Sequence, residues 1–202
     1  MKRIVFVLGF VLLSIATFSQ SKNAFGIKGG ANISSLSNAN MEYKTHMYFG
    51  VFLNIPLTSF YQIQPELLYN NQGGKNNENG TLNISYISAG VANNFFINKN
   101  VYFSLTPSLD FDVDDTFIGL ANRHEDEEGN DITFIDLSAS IGIGYQFKNG
   151  LGIEGRYKQG FIDVYSGNFH DFDSYLYEEK HQFNSVFQIG LSYTFKTLKK
   201  EK

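Results

Sequence analysis

The amino-acid sequence predicts an all-β fold: an eight-stranded antiparallel up-and-down transmembrane β-barrel. Three observations support this expectation. Eight segments alternate apolar and polar residues with the period of two that a β-strand produces. Beyond residue 19, no stretch is apolar for long enough to cross a membrane as a helix. Aromatic residues gather beside short connections, as they do at the membrane interface of a barrel.

The composition is compatible with a single barrel domain. The chain has 202 residues, of which 16% are aromatic, 19 are Gly and only 3 are Pro. This balance suits many strands joined by tight turns. The formal net charge of −4 argues against a nucleic-acid partner. Because the chain has no cysteine, it can form neither a disulfide nor a thiolate metal site.

The N-terminal residues have the features of an export signal. Lys2 and Arg3 precede an almost wholly apolar run over 4–16, and Thr17 and Ser19 are small residues of the kind found before a cleavage site. A transmembrane anchor is the alternative, but the apolar run is shorter than the roughly 20 residues that a span needs. We therefore expect a signal peptide over 1–19, a barrel domain over 20–196 and a basic periplasmic tail over 197–202.

The segment 183–195 shows the alternation most clearly. One face carries Phe183, Phe187, Ile189, Leu191 and Tyr193, whereas the other face is small or polar. The same pattern predicts seven earlier strands over 25–33, 46–55, 61–70, 82–97, 101–112, 135–147 and 151–158. The fourth of these is the least regular, and its expected outward residues are Ile87, Ala89, Val91, Phe95 and Ile97.

The connections between these segments alternate in length. Short turns are expected at 56–59, 98–100 and 148–150, and longer polar loops at 34–45, 72–80, 114–133 and 164–182. Outer-membrane barrels have this asymmetry, with short periplasmic turns and long outer loops. An even number of strands then places both chain ends on the periplasmic side.

Aromatic side chains lie within a few residues of the short turns or of the last strand's end. We expect them to form a girdle at one membrane interface. The strand preference of aromatic residues alone would not concentrate them beside turns. The expected girdle consists of Phe60, Tyr61, Phe95, Tyr102, Phe103, Tyr145, Phe147, Tyr193 and Phe195.

Several of these blocks resemble a known family. The sequences FGIKGGANISSL, IQPELLYNNQGGK, GIGYQF, LGIEGRYKQG and IGLSYTF are similar to the PorT-type outer-membrane β-barrel domain family of Gram-negative bacteria. The resemblance covers 24–196 and implies the fold and an outer-membrane location. It implies function only loosely, since an accessory role in protein secretion belongs to a few members. The fourth strand departs from the family, which often has a proline where this chain has Ser88, Ala89 and Gly90.

The inward faces of the expected strands carry charged residues. An eight-stranded barrel is just wide enough for side chains to fill it, and buried charges need partners. We therefore expect a lumen network in which Arg156 holds Glu66 across the barrel with two hydrogen bonds, with Lys28 within reach. A proton or ion path is the alternative. The expected inward charges are Lys28, Glu66, Asp110, Asp112, Asp136, Glu154, Arg156 and Lys158.

We expect no cofactor and no metal site. Asp110, Asp112 and Asp114 have the spacing of a calcium loop, but Asp115 and Ala121 stand where such a loop has Gly and Glu. Strand alternation alone produces this spacing.

No enzyme motif is present. The four histidines are dispersed beside expected outer loops, and no G-x-S-x-G occurs. A lipid-modifying enzyme at the barrel rim is an alternative that would require a histidine beside a Ser or Asp in the folded loops. The histidines are His46, His124, His170 and His181.

The sequence therefore favours a non-enzymatic integral outer-membrane protein with a structural, surface-interaction or secretion-accessory role. Its expected partners are outer-membrane lipid and proteins at loops 114–133 and 164–182, since loops on a rigid scaffold commonly carry binding. A secreted soluble lipocalin-like carrier of an apolar ligand is an alternative. That interpretation would put the apolar faces inside, and the polar faces have few of the charges that a soluble exterior needs.

Overall fold

The computed structural model describes residues 23–37, 41–76, 80–113, 133–164 and 181–195. The expected signal peptide and basic tail lie outside these ranges, as do almost all residues of the two longest expected loops. The expectations for those segments therefore stay predictions.

Eight β-strands form the described part of the chain, as the alternation predicts. They are β1 (Ala24–Leu36), β2 (Glu42–Pro56), β3 (Tyr61–Asn76), β4 (Gly80–Phe96), β5 (Val101–Asp112), β6 (Ile135–Gln146), β7 (Leu151–Gly160) and β8 (Asn184–Thr194). Each strand pairs with the next in antiparallel register, and β1 pairs with β8 to close the barrel. The predicted fold class is confirmed. In the described ranges, no helix is long and apolar enough to cross a membrane.

The strands present apolar side chains outwards and polar side chains inwards. In β8, the outward residues Phe187, Ile189 and Leu191 are 47%, 58% and 63% exposed, whereas the inward Val186 and Gln188 are buried. A soluble carrier of an apolar ligand would need the opposite arrangement. The structure therefore argues against the carrier alternative, because a large apolar exterior is stable in hydrocarbon and not in water.

Three tight connections lie together at one end of the barrel, which we call the short-turn end. They span 57–60, 97–100 and 147–150. In each, the backbone N–H of the first residue donates to the carbonyl of the residue after the connection, for example Ile97 N to Val101 O at 2.9 Å and Phe147 N to Leu151 O at 2.8 Å. Gly150 has a φ of 96°, a conformation that favours glycine.

At the opposite end, which we call the loop end, two of the four expected long loops are mostly strand. The β1–β2 ladder continues to the pair Ser34–Lys44, and the β3–β4 ladder continues to the pair Asn76–Gly80. Polar residues in both stretches suggested loops. Polarity was misleading because these strand ends continue past the apolar band, where neither face needs apolar side chains.

The β2–β3 ladder is interrupted near the loop end. Its register shifts between Tyr43 and Tyr48, so one extra residue of β2 bulges from the ladder. Residues 71–73 of β3 have no register partner in β2. Side chains of β1, on the far side of β2, bind two of their carbonyls: Asn32 Nδ2 donates to Asn71 O at 2.9 Å, and Ser34 Oγ donates to Gly73 O at 2.8 Å. Side chains of β1 thereby replace missing backbone partners.

The interior of the loop end is closed by an apolar cap. It consists of Leu36, Ile84, Tyr86 and Val164, with Met41 and Leu82 packed against it. Val164 reaches this position because the segment after β7 continues the sheet: Thr133 N donates to Val164 O at 2.8 Å, and Val164 N donates to Gln182 O at 2.9 Å. The cap adds an apolar layer to an interior in which most of the buried side chains are polar.

Candidate functional site

Four charged side chains form a central cluster inside the barrel: Lys28, Glu66, Glu154 and Arg156. Lys28 Nζ lies 2.8 Å from Glu66 Oε2 and 3.2 Å from Glu154 Oε1. Arg156 lies 2.6 Å from Glu66 Oε1 and 3.1 Å from Glu154 Oε2. All four side chains are almost fully buried. Each acid therefore contacts both bases, and the cluster is neutral overall.

The contact between Arg156 and Glu66 crosses the lumen. Arg156 Nη1 donates to Glu66 Oε1 at 2.6 Å, and Nη2 donates to Oε2 at 3.2 Å. Two roughly parallel hydrogen bonds from a planar guanidinium restrict both distance and orientation. Because β3 and β7 lie on opposite sides of the ring, this pair ties the two walls together.

Aromatic side chains surround the central cluster. The hydroxyls of Tyr48 and Tyr102 each donate to Glu154, at 3.4 Å, and Lys28 Nζ lies 5.2 Å from the centre of the Phe52 ring. These contacts add weak donors and one cation–π contact. The aromatic rings also exclude water from the charges.

The structure corrects one predicted girdle residue. Tyr102 lies inside the barrel, 7% exposed, with its hydroxyl on Glu154, and not on the outer face. The physical reason is strand alternation: Tyr102 falls between the outward residues Val101 and Phe103, so its side chain must point inwards. Proximity to a turn placed it in the girdle, and the alternation should have excluded it.

Three inward glycines make room for these rings. A Cβ at Gly26 would fall on the Phe52 ring, one at Gly144 on the Tyr102 ring, and one at Gly190 on the Tyr48 hydroxyl. Each ring thus occupies the space above a glycine of another strand. A narrow barrel can hold large rings only where small residues lie opposite.

The other expected lumen charges lie nearer the loop end. Lys158 Nζ lies 2.6 Å from Asp110 Oδ2, which also accepts a 2.7 Å hydrogen bond from Ser138 Oγ. Asp112 is fully buried two residues further along β5, opposite Tyr86. We call Asp110, Asp112, Asp136 and Lys158 the outer acidic group. Lys158 pairs with Asp110, whereas Asp136 is held by other groups.

Asp136 is held by amide donors. The backbone N–H groups of Phe161 and Ile162 donate to its Oδ1 at 3.2 and 3.1 Å. Asn184 Nδ2 donates to its Oδ2 at 3.0 Å and to the Tyr86 hydroxyl at 3.2 Å. These donors compensate the carboxylate for lost water without a positive charge. They also anchor the segment after β7 to the barrel wall.

Carboxamide side chains fill the lumen between the central cluster and the outer acidic group, and again at the short-turn end. Asn32, Asn70 and Gln188 form one set, in which Gln188 Nε2 donates to Asn32 Oδ1 at 3.0 Å and to Asn70 Oδ1 at 3.1 Å. A second set lies at the short-turn end, where Gln62 donates to Asn54 and Asn94 donates to Gln64, both at 2.8 Å. Sequence reasoning did not single out these residues. Their inward phase within each strand was the available signal.

Outward aromatic side chains do gather at the short-turn end. Phe60, Phe95, Phe103 and Phe147 are among the exposed aromatic residues there. Ring contacts link neighbouring members, with centroid distances of 5.0 Å for Tyr61–Phe95, 4.7 Å for Tyr145–Phe147 and 5.2 Å for Tyr193–Phe195. All of the predicted girdle residues lie at the short-turn end, and of these only Tyr102 points into the barrel.

A histidine and an aspartate meet at the loop end. His181 Nδ1 lies 3.0 Å from Asp163 Oδ2, and the His181 side chain is 79% exposed. Asp163 Oδ1 accepts the Gln182 backbone N–H at 3.2 Å, and Asp163 O accepts the Thr133 hydroxyl at 2.7 Å. The other histidine in the described ranges that was predicted to lie near this rim, His46, is in β2. No three His, Asp or Glu side chains of the described ranges come together as a metal site requires.

Comparisons with known proteins agree with this architecture. A family model for the outer membrane protein beta-barrel domain matches residues 18–166. The outer membrane protein Ail of Yersinia pestis, solved in a phospholipid bilayer nanodisc, is 12% identical with a TM-score of 0.51, covering 86% of this chain and 99% of Ail. Neisserial surface protein A is 12% identical with a TM-score of 0.48, covering 87% and 98%. No curated protein matches the sequence.

Proposed function

The chain belongs to the outer membrane protein β-barrel domain family, and from this premise we propose that it is a non-conducting, non-enzymatic barrel that presents its outer segments to a protein partner. The outer membrane is its location. The short turns face the periplasm and the loop end faces outwards, as is usual for such barrels. Signal-peptide cleavage after Ser19 would release the mature chain.

The observation that carries this proposal is the filled lumen. Three successive levels obstruct it: Phe52 and Tyr102 towards the short-turn end, the central cluster in the middle, and the apolar cap at the loop end. Ions would have to displace a neutral cluster in which each acid contacts both bases, and then cross buried apolar side chains. A barrel of this kind is a rigid support, and its recognition surfaces lie on its outside.

The segments 114–133 and 164–182 are the candidate recognition surfaces. The first contains the acidic run 125–131, and the second contains Tyr165, Phe169, Phe172, Tyr175 and Tyr177. Aromatic residues are favoured in protein interfaces because they bury a large area with few rotatable bonds. The finer form of the proposal is a PorT-type accessory role in protein secretion, which is supported by the resemblance over 24–196.

Co-purification from cross-linked native membranes tests the proposal. Replacing 165–180 with a Gly-Ser linker of equal length should abolish recovery of a specific partner, while the protein stays heat-modifiable. The matched control replaces the short connection 77–79 and should retain the partner. If both variants retain the partner, the assignment of the recognition surface is contradicted. Stepwise conductance from wild-type protein in a planar bilayer would contradict the filled lumen.

A second candidate function is favoured by the His181–Asp163 contact. A carboxylate on one imidazole nitrogen orients the ring for proton transfer, so this pair meets the condition for a rim-site lipid-modifying enzyme. The same carboxylate also binds backbone, which gives it a structural role and ranks this function second. Release of fatty acid from outer-membrane lipid by wild-type protein, lost in His181→Ala and retained in His46→Ala, would establish the enzyme.

A further inference from the structure

A glycine interrupts the outward apolar surface of the barrel. Gly155 lies in β7 between Ile143 of β6 and Ile189 of β8, which are its register partners. No atom lies within 4 Å of the position that a Cβ would occupy there. The two isoleucines project on either side and are 60% and 58% exposed. The missing side chain therefore leaves a depression between two protruding walls.

The depression continues towards the short-turn end as a groove of about 350 Å³. Its next row consists of Val101, Tyr145 and Ile153, which are neighbours in register across β5, β6 and β7. The two rows are two residues apart, which corresponds to about 7 Å along a strand. The groove thus runs from the level of the outward aromatics into the apolar band.

The lining is aliphatic except for the Tyr145 ring. Glu154 also borders the groove, but its side chain is buried in the central cluster and only its backbone is near. No ionised side chain of the described residues therefore points into the groove. Such a surface gains nothing from a polar ligand and matches hydrocarbon.

We propose that this groove holds one acyl chain of a phospholipid from the leaflet at the short-turn end, more tightly than the rest of the barrel surface does. The inference rests on the membrane location of the family. An acyl chain enters the bilayer at the interface and runs inwards, which is the course of the groove from Tyr145 to Gly155. The protruding isoleucines then contact the chain from two sides, and the Gly155 backbone contacts it from below.

A flexible chain fits this shape better than a second copy of the barrel does. A stable dimer needs an interface of about 1,200–2,000 Å² with side chains that match the depression. Rigid strands on a convex surface would have to present a protruding residue at this one position. A lipid chain instead adjusts its own torsions to the groove.

Photo-crosslinking tests the proposal. The mature full-length protein is reconstituted in phosphatidylethanolamine–phosphatidylglycerol vesicles that contain phosphatidylethanolamine with a diazirine in one acyl chain. After photolysis, adducts should concentrate on peptides containing 143–145, 153–155 and Ile189. Gly155→Leu, whose side chain fills the groove, should lower those adducts several-fold. The control is Ala89→Leu, an outward change between Leu67 and Leu109 on the other side of the barrel, which should leave them unchanged.

Adducts spread evenly around the barrel, or adducts unaffected by Gly155→Leu, would overturn the proposal. A cross-linked dimer that disappears in Gly155→Leu would also overturn it, in favour of a second copy. Heat-modifiable mobility in gels shows that each variant has folded and separates failure of the groove from failure of the barrel. If Gly155→Leu does not fold, Gly155→Ala adds one methyl group into open space and should lower the adducts partially.

Discussion

The central cluster and the outer acidic group are two solutions to burying charge in the same barrel. In the central cluster, two acids and two bases neutralise each other across the lumen. In the outer acidic group, Asp136 is held by two backbone N–H groups and Asn184, with no base within its hydrogen bonds. The first solution depends on charge, whereas the second depends on amide donors and on Lys158 beside Asp110.

This difference teaches where the barrel is sensitive to loss of charge. Removing one member of a paired buried cluster leaves an opposite charge without compensation, which is costly. Where neutral donors hold a buried carboxylate, replacing it with an uncharged group of the same shape lowers the desolvation cost of that group. The donors still find an oxygen acceptor in the replacement. The two levels should therefore respond differently to substitutions that change charge without changing shape.

Arg156→Met should destabilise the barrel more than any other single change in the two groups. It leaves Glu66 and Glu154 with Lys28 as their shared base in the cluster, and breaking such a buried pair costs about 3–5 kcal/mol. Urea unfolding in lipid vesicles or detergent measures the change. The control is Ile153→Met, which places the same new side chain on the outer face of the same strand and should barely alter stability. Equal stability of the two variants would mean that the cluster is hydrated and its pairing dispensable.

Gly144→Ala tests the packing around the central cluster and should cost about 1–3 kcal/mol, the usual range for overpacking. Its new methyl group would fall on the Tyr102 ring, so the ring and its hydrogen bond to Glu154 must shift. Adding Tyr102→Leu should recover part of the loss, because the smaller side chain vacates that space. Additive costs in a double-mutant cycle would show that the two residues do not interact.

Asp136→Asn should have the smallest effect, less than about 1 kcal/mol. Its carbonyl oxygen can still accept the Phe161 and Ile162 N–H groups. A flip of the Asn184 amide would then bring its Oδ1, which has no partner in the described structure, to the introduced NH₂ group. The Tyr86 hydroxyl would then donate to that same oxygen.

The isosteric change in the central cluster sharpens this last prediction. Glu66→Gln removes the same charge but leaves Arg156 and Lys28 facing one remaining acid, so it should cost about 3 kcal/mol. Equal losses of stability for Glu66→Gln and Asp136→Asn, measured by the same unfolding experiment, would remove the distinction between the two levels.

Much of the fold followed from residue patterns because a barrel strand repeats one rule along its length. Alternation assigned Lys28, Glu66 and Arg156 to the interior, and the narrow lumen implied that they meet. Polarity was a misleading guide where strands extend past the apolar band. For that reason 34–45 and 72–80 were predicted to be loops, although they are mostly strand. The His181–Asp163 contact was also beyond reach, because it joins two segments whose path depends on how the sheet continues past β7.

By itself, the sequence determined the number of strands, the face of each side chain and the need for charge compensation inside, since these depend on local periodicity and on the cost of burying charge. For the inward residues other than Lys28, Glu66 and Arg156, only the tertiary structure decided which level each one occupies and which partner it meets. Those contacts depend on the stagger between neighbouring strands around the closed ring. That stagger sets Tyr102 above Gly144, gives Asp136 its amide donors and aligns Gly155 between two isoleucines.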